Sequence, residues 1–315
     1  MSVDVDAVEL ALTHLVDLGD AVRCDVALGP MTTYRVGGAA ALFVHVTDRG
    51  QLTAVAEAAS ASGLPVLVVG RGSNLLVADA GFAGIAIGLV DLDATVDIDA
   101  ATARVTASAG VALPVLARKT AAAGLSGFEW AVGVPGSIGG AVRMNAGGHG
   151  SDMAASLVEA TVFDLVAGAE CTLQAAELGL AFRSSTLAPE HVVLDAVLQL
   201  QHGDADASAR LIGEIVAWRR AHQPGGQNAG SVFVNPVPGE VSAGALIDAA
   251  GLRGRRLGSA TVSDKHANFI QADDGGSADD VLALMTEVRA LVEASSGFRL
   301  RSEIKLVGFD DGDVF

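Results

Sequence analysis

The chain has 315 residues, 50% of them hydrophobic, and a formal net charge of −17 at pH 7. A chain of this length exceeds what one hydrophobic core organises, so we expect two or three structural units. The charge repels the phosphate backbone of nucleic acids and no basic run offsets it, which argues against a nucleic-acid partner. No apolar run approaches the roughly 20 residues of a membrane span, and the N-terminal MSVDVDAVEL is acidic where a signal peptide is basic. We therefore expect a cytoplasmic protein without a membrane partner.

The cations are unevenly distributed, because residues 206–315 carry 11 of the 20 Lys and Arg. An anionic small molecule would find its partners mainly in this last third of the chain. Cys24 and Cys171 lie far apart, with no second cysteine pair and no ordered histidine spacing near them. A disulfide framework and a metal site both lack support, and we expect two buried free thiols.

The opening residues predict an amphipathic helix, because apolar residues recur at helical spacing between residues 5 and 15. A buried strand at 41–46, an Ala-rich helix at 51–62 closed by Gly63, and a second buried strand at 65–69 follow. This succession predicts one βαβ unit with a parallel pair of strands.

Between residues 85 and 109 the pattern changes to short β-branched segments split by Asp and Gly. Such segments are typical of antiparallel hairpins and indicate the start of a second small unit. A helix at 113–123, a glycine-rich tract at 133–150 and strands at 156–164 and 191–201 complete this part of the chain.

The polar break at 203–208 marks the predicted boundary of the final third. A helix at 209–221 opens that third, and a later helix begins where Ser277 and Asp280 fit a capping box. An alternating pattern at 298–307 predicts a strand near the end.

A short polar loop joins the predicted strand at 65–69 to the apolar residues 75–77. Its residues are Gly70, Arg71, Gly72, Ser73 and Asn74. Glycines let backbone N–H groups approach an anion closely and the Ser and Asn side chains add donors, so the loop suits a diphosphate. It matches neither the dinucleotide fingerprint, which needs a following helix, nor the P-loop, which needs Lys before Ser or Thr. A plain tight turn is the alternative for this loop taken alone.

A second glycine tract, at 132–140, interleaves glycines and a serine with apolar residues and runs on toward residues 145–147. A third fragment, at 33–38, precedes the first βαβ unit. Backbone without side chains can lie flat against a large ligand. A planar ring carrying a diphosphate explains the coincidence of these loops better than unrelated turns do, so we expect a nucleotide-type cofactor.

Further motifs follow these loops along the chain, so that the ordered set lies at 33–38, 70–77, 124–147, 182–185, 223–224, 229–233 and 262–270. In this order the motifs resemble the UDP-N-acetylenolpyruvoylglucosamine reductase family along nearly the whole sequence. The resemblance implies an α+β fold, with a two-part FAD-binding domain of the vanillyl-alcohol-oxidase type and a smaller C-terminal α+β substrate-binding domain. The predicted elements and the resemblance together give an N-terminal helical segment at 1–27, an FAD-binding domain at 28–205 with subdomains at about 28–92 and 93–205, and the substrate-binding domain at 206–315.

The family reaction passes hydride from NADPH to non-covalent FAD and then to C3 of UDP-N-acetylglucosamine enolpyruvate, while C2 receives a proton. The product is UDP-N-acetylmuramate, a precursor of peptidoglycan. By motif, Ser231 matches the proton donor, Arg183 the arginine that holds the substrate carboxylate, and Glu303 the glutamate that works beside it. Without the resemblance, Ser231 is a turn residue, Arg183 a surface arginine and Glu303 part of a cross-strand surface pair.

The resemblance also implies binding residues, and neither it nor the spacing of cysteines and histidines gives a metal site. The cofactor-binding residues that it implies are Tyr34, Arg35, Gly37, Gly70, Arg71, Gly72, Ser73, Asn74, Gly133, Pro135, Gly136, Ser137, Gly139 and Gly140. The substrate-binding residues that it implies are Arg219, Arg220, Asn235, Lys265 and Asn268.

The chain departs from the family pattern at several positions. Val234 stands where Lys is usual, Gly148-His149 where Ala-Tyr is common, and Phe182 where Tyr is frequent. Only the short segment 184–191 follows Arg183 before the next strand, which indicates the subclass without a Tyr-bearing lid over the substrate. Two alternatives stay open: a related FAD-dependent oxidoreductase with another substrate, and a non-catalytic paralog that binds FAD or a UDP-sugar. The sequence does not specify an oligomeric state.

Overall fold

The computed structural model describes residues 4–92 and 94–310. The predicted segment 1–27 and the predicted domain 206–315 therefore have their outer ends outside the described residues. Within the described ranges no helix combines the length and the apolar composition needed to cross a membrane.

The first unit is a four-stranded sheet in the order β1-β2-β5-β3, with helices α1 and α2 packed on one face. Its elements are α1 (Val5–Leu15), β1 (Val22–Ala27), β2 (Ala39–His45), α2 (Gln51–Ser62), β3 (Val66–Val69), β4 (Leu75–Val77) and β5 (Phe82–Gly88). The carboxylate of Asp4 caps α1 by accepting a hydrogen bond from the N–H of Ala7. The helix α2 ends at Gly63 as predicted, because that residue adopts the left-handed conformation which glycine tolerates best.

The position of β5 overturns one expectation. Strands β2 and β3 do not pair with each other; each pairs in parallel with β5, which lies between them. The prediction that antiparallel hairpins begin at residue 85 is therefore wrong. The run from Gly84 to Gly88 is buried throughout, and a continuous apolar run is typical of a central parallel strand covered on both faces.

The second unit is a five-stranded antiparallel sheet in the order β12-β11-β13-β7-β6. Its strands β6 and β7 pair as an antiparallel hairpin, which confirms the prediction for residues 94–109. Its elements are β6 (Val96–Asp99), β7 (Arg104–Ser108), α3 (Leu113–Ala122), β8 (Leu125–Ser126), α4 (Ile138–Met144), β9 (Gly147–Gly148), β10 (Ser151–Asp152), β11 (Leu157–Asp164), β12 (Ala169–Gln174), β13 (His191–Gln199) and β14 (Gln201–His202). Helices α3 and α4 bury their apolar residues against this sheet.

The helix after the polar break, α5 (Ala205–His222), begins at Asp204, whose carboxylate accepts from the N–H of Ala207. Ile212 and Ile215 of α5 pack into the core of the second unit. The helix thus spans the predicted boundary at residue 206, and its C-terminal end lies beside the third unit.

The third unit has its own core around the long helix α7. Its elements are α6 (Ala243–Ala249), β15 (Arg256–Leu257), β16 (Ala260–Val262), β17 (Ile270–Ala272), α7 (Ala278–Ser296) and β18 (Lys305–Val307). Ser277 caps α7 by accepting from the N–H of Asp280, as predicted, but the carboxylate of Asp280 binds Ser259 instead of closing the box. Strand β18 returns to the first unit and pairs in parallel with β4.

Two further expectations differ from the structure. The predicted strand at 298–307 is a regular strand only at Lys305–Val307, because the preceding residues make a single bridge, between Ser302 and Phe233. Cys24 and Cys171 are exposed rather than buried. They lie in β1 and β12, the edge strands of their sheets, where one side of the strand faces solvent.

Candidate active site

A cleft of about 570 Å³ opens where the three units meet. Its volume lies within the range of small-molecule sites in proteins. The first unit contributes the loop between β3 and β4, the second unit α4, the β9–β10 hairpin and the end of α5, and the third unit the segments around Ser231 and Glu303.

The two glycine tracts lie side by side at one end of this cleft. The first tract joins β3 to β4, which confirms the predicted strand-loop-strand arrangement. A Cβ atom added to Gly70 would lie 2.9 Å from Ser137 Oγ, and one added to Gly136 would lie 3.4 Å from Ser73 Oγ. The two loops therefore form one cradle in which a side chain at Gly70 would occupy the space between them.

Most of the predicted cofactor-binding residues line this cradle. They are Gly70, Arg71, Gly72, Ser73, Asn74, Gly133, Gly136, Ser137, Gly139 and Gly140. Pro135, by contrast, is exposed and does not line the cleft.

The third fragment, 33–38, lies behind the first loop rather than in the cleft. The N–H of Thr33 donates to the carbonyl of Gly72 over 3.2 Å, and a Cβ on Gly37 would lie 2.2 Å from the carbonyl oxygen of Val77. Tyr34 is fully buried in the core of the third unit, and Arg35 is exposed. This fragment supports the shape of the loop from behind.

The three predicted catalytic residues share the cleft. Nε of Arg183 donates to Oε1 of Glu303 over 3.0 Å, and Nη2 of Arg183 donates to the carbonyl of Gly147 over 2.8 Å. The N–H of Glu303 donates to the carbonyl of Val232, which places Glu303 beside the residue that follows Ser231. Residues that are far apart in the chain thus place an arginine, a carboxylate and a hydroxyl in the same cleft.

The environment shifts the proton affinity of this carboxylate. Burial raises the pKa of Glu303 above its ordinary value, and the guanidinium of Arg183 opposes that rise by favouring the ionised form. The side chains of Arg183 and Glu303 are 21% and 19% exposed, so solvent screens their interaction only in part. A carboxylate with a raised pKa at a cleft is a usual feature of acid–base sites.

The predicted substrate-binding residues divide into one that lines the cleft and four that do not. Arg219 lines it, and burial lowers the pKa of its guanidinium. Arg220 and Lys265 are exposed, with Nζ of Lys265 donating to the carbonyl of Arg220. The carbonyl oxygen of the Asn235 side chain accepts from the N–H of Ala243, at the start of α6.

Asn268 binds the protein backbone instead of facing the cleft. Its side-chain oxygen accepts from the N–H of Phe233 over 3.0 Å, and its amide nitrogen donates to the carbonyl of Phe233 over 2.8 Å. The residue is 3% exposed. Asn268 therefore holds the segment that follows Ser231 against the connection between β16 and β17.

The cleft wall also contains His149, Trp218 and Gln223, which are not among the predicted binding residues, although His149 is one of the departures from the family pattern. His149 packs edge-on against Trp218 with ring centroids 5.2 Å apart, and Trp218 stacks on His222 at 4.6 Å. Burial, followed by the positive charge of Arg219, lowers the pKa of His149. Gln223 lines the cleft with a buried amide oxygen that has no hydrogen-bond partner among the described residues. Its position in the Gln223-Pro224 motif was the available signal.

These observations define a class of protein. A unit with a mixed sheet and a unit with an antiparallel sheet enclose a glycine-lined cradle, and the third unit places Ser231 and Glu303 in the same cleft. The cradle, which a Cβ at Gly70 would fill, and its serine and backbone donors fit the diphosphate and ring of FAD. The protein is a flavoprotein with a two-part FAD-binding domain and a separate C-terminal unit.

The chain belongs to the UDP-N-acetylenolpyruvoylglucosamine reductase family. Residues 222–307 match the model of the C-terminal domain of that reductase, and residues 40–174 match the model of an FAD binding domain. The chain is 43% identical over 285 residues to the reductase of Heliobacterium modesticaldum, with 90% of each chain covered. It is 41% identical over 308 residues to a reductase of a Synechococcus strain, covering 96% of this chain and 98% of the relative.

Solved structures agree with this assignment. The crystal structure of the reductase from Thermus caldophilus superposes with a TM-score of 0.76 at 35% identity, covering 91% of this chain and 99% of that one. The 4-ethylphenol oxidase of Gulosibacter chungangensis superposes with a TM-score of 0.50 at 14% identity over 64% of this chain and 44% of that one, which shows a shared fold. The predicted α+β architecture with an FAD-binding domain of the vanillyl-alcohol-oxidase type is confirmed.

Proposed function

We propose that this protein reduces UDP-N-acetylglucosamine enolpyruvate to UDP-N-acetylmuramate with NADPH, through non-covalent FAD, in the cytoplasmic stage of peptidoglycan precursor synthesis. One observation carries the proposal. Arg183, Glu303 and Ser231 line the same cleft, and the glycine cradle lies at one end of it. Family membership at more than 40% identity along the chain supports the same activity.

The glycine cradle is the part of the cleft that would hold the cofactor. Gly70 and Gly136 allow close approach, and Ser73 and Ser137 place hydroxyl groups beside them. FAD, when bound, supplies a site that accepts hydride from NADPH and delivers it to the substrate. The residues of this chain then have three tasks: to bind the substrate carboxylate, to limit water, and to deliver a proton to C2.

Arg183 is suited to bind the enolpyruvyl carboxylate. Its hydrogen bonds to Glu303 and Gly147 use two of the five guanidinium N–H groups, so donors remain for a ligand in the described cleft. A planar guanidinium binds a carboxylate through paired hydrogen bonds and stabilises the negative charge that builds up as the double bond is reduced.

Ser231 is assigned as the donor of the proton to C2. A serine hydroxyl is a weak acid, so it acts on a centre with carbanion character and needs positive charge nearby, which Arg183 supplies across the cleft. Glu303, whose pKa burial raises, is placed to work with Arg183 at the same end of the substrate. The short connection 184–191 supports assignment to the subclass without a lid.

A second candidate is a related FAD-dependent oxidoreductase with another substrate. The observation that favours it is Val234, which is 9% exposed and apolar at a position where the resemblance leads us to expect Lys. A substrate that makes no phosphate contact at this position would not need a Lys there.

The test uses the purified protein loaded with FAD, without oxygen. We expect NADPH to bleach the yellow flavin, and UDP-N-acetylglucosamine enolpyruvate to restore the colour. UDP-N-acetylglucosamine, which lacks the enolpyruvyl group, serves as the matched control and should restore nothing. Bleaching without return of colour would support the second candidate, and a protein that takes up no FAD would refute both and leave the non-catalytic UDP-sugar-binding alternative.

A further inference from the structure

Asn145 is a buried residue at the end of α4 that the assigned chemistry does not use. It has a left-handed backbone, with φ of 39°, and is 2% exposed. Its side chain binds three protein groups: the amide nitrogen donates to Asp152 Oδ2 and to the carbonyl of Ala181, and the amide oxygen accepts from the N–H of Ala154.

One of these partners belongs to the turn that presents Arg183. Ala181 and Ser184 exchange two backbone hydrogen bonds, of 3.0 and 3.1 Å, which leaves Phe182 and Arg183 at the tip of a tight turn. Arg183 adopts a left-handed φ of 57°, which is unfavourable for a residue with a long side chain. The carbonyl of Ala181 also accepts from Asn145 over 3.0 Å, so the base of this strained turn is anchored to α4.

Asn145 also anchors the hairpin whose Gly147 carbonyl accepts the hydrogen bond from Nη2 of Arg183. Strands β9 and β10 form a hairpin in which Asp152 pairs with Gly147. Asn145 binds the side chain of Asp152 and lies two residues before Gly147. The carbonyl of Gly147 accepts the Nη2 hydrogen bond of Arg183. Asn145 thus connects the backbone of Arg183 and the acceptor of its guanidinium.

Two further side chains, those of Glu303 and Phe182, contact the guanidinium of Arg183. The carboxylate of Glu303 accepts from Nε, and the centroid of the Phe182 ring lies 4.8 Å from Cζ. These contacts fix the guanidinium only if the turn below it keeps its position. A displacement of about 1 Å at a reacting centre is enough to slow a reaction about 10²-fold.

We propose that Asn145 is a positioning residue for Arg183, holding the 181–184 turn and the β9–β10 hairpin in the arrangement that aims the guanidinium at the substrate carboxylate. The inference rests on the proposed function, because it assigns Arg183 to the second half-reaction. Asn145 touches the reaction only through Arg183, so it should leave the reduction of flavin by NADPH untouched.

The first test is Asn145→Asp. Aspartate tolerates the left-handed backbone and keeps the acceptor for Ala154, but it loses both donor bonds and places a carboxylate against the carbonyl of Ala181 and against Asp152. We expect NADPH to reduce the flavin at the wild-type rate, and the enolpyruvyl substrate to reoxidise it about 10²-fold more slowly. Equal slowing of both half-reactions, or of neither, would overturn the proposal.

Asp152→Asn is the matched control. It keeps a polar partner for Asn145 at the hairpin and leaves the hydrogen bond to Ala181 in place, so both half-reactions should run at wild-type rates. Strong selective slowing by this variant would overturn the proposal, because it would place the control of Arg183 in Asp152 and not in Asn145.

A double-mutant cycle with Arg183→Lys separates positioning from a general structural effect. Because Asn145 acts through Arg183, Asn145→Asp should slow reoxidation no further in the Arg183→Lys background. Additive slowing would contradict the proposal. If Asn145→Asp does not fold, Asn145→Gly, which also tolerates the backbone, is measured in its place, and failure of both to fold would assign Asn145 to folding instead.

The wild-type protein distinguishes the two levels of inference. If its reduced flavin is not reoxidised by the enolpyruvyl substrate, the proposed function fails. If it is reoxidised and the Asn145 variants match it, only the positioning role fails.

Discussion

Arg183 Nε donates to Glu303 Oε1 over 3.0 Å, although 120 residues separate the two in the chain. The bond joins a strained turn of the second unit to a segment of the third, and both side chains are about one-fifth exposed at the wall of the cleft. It therefore connects the units across the site, and it favours the ionised form of the carboxylate, against the burial that raises the pKa of Glu303.

Arg183→Gln is predicted to raise the pKa of Glu303 further. In the folded protein burial raises this pKa and Arg183 opposes the rise, so removing the positive charge leaves burial unopposed. The ionisation of Glu303 then occurs at higher pH than in the wild type. The residual rate of flavin reoxidation, measured against pH, should show its carboxylate-linked transition displaced upward.

Arg104→Gln provides the control for this measurement, because Arg104 pairs with Glu159 on the outer surface and does not line the cleft. Its profile should match the wild type. A downward displacement in Arg183→Gln would mean that the transition belongs to another group.

Ser231→Ala is predicted to separate the two half-reactions. In the proposed mechanism, reduction of flavin by NADPH needs no proton from Ser231, whereas protonation of C2 does, so only reoxidation should slow, by about 10²-fold or more. Stopped-flow absorbance of the flavin measures both rates in one sample.

Ser295→Ala, which removes a hydroxyl bonded to the backbone of α7 away from the cleft, should leave both rates unchanged. Equal slowing of both half-reactions by Ser231→Ala would remove the assignment of Ser231 as proton donor.

Gly70→Ala is predicted to weaken the binding of FAD. The new methyl group would lie 2.9 Å from Ser137 Oγ, in the space between the two loops, and moving Ser137 would disturb its cap on α4. We expect the Kd for FAD to rise about tenfold, equivalent to about 1.4 kcal/mol. Titration of the apoprotein by flavin fluorescence measures it.

Gly213→Ala adds the same methyl group to the exposed face of α5, where nothing lies within 4 Å. It should keep the wild-type affinity and stabilise the helix slightly. Equal FAD affinities for Gly70→Ala and the wild type would show that the cradle lies elsewhere.

The sequence predicted local structure well where local chemistry decides it. The helix Gln51–Ser62 ends at Gly63, and the loop 70–74 joins two strands, as expected. The place of β5 could not be predicted in this way, because an apolar run does not specify its pairing partners. The exposure of Cys24 likewise depends on β1 being an edge strand.

The candidate site followed from motifs rather than from periodicity. The motifs identified Arg183, Ser231 and Glu303, and the cleft brings them together. They could not reveal that Asn268 binds the backbone of Phe233, because a motif does not distinguish a residue that faces the ligand from one that holds the loop. The roles of these residues stay predictions until the variants are measured.

Tyr34→Phe is predicted to keep or increase stability without changing FAD affinity. Tyr34 is fully buried in the third unit's core, and its hydroxyl has no hydrogen-bond partner among the described residues. Burial raises the pKa of the phenol, so it stays neutral. Removing an unpaired buried hydroxyl should raise the free energy of unfolding by about 1 kcal/mol.

Urea unfolding of the apoprotein measures this change. Tyr34→Ala, which leaves a cavity, should instead lower the free energy of unfolding by about 3–5 kcal/mol. A weaker FAD affinity in Tyr34→Phe would restore the cofactor-binding role that the motif implied, because the hydroxyl would then be paired with the cofactor.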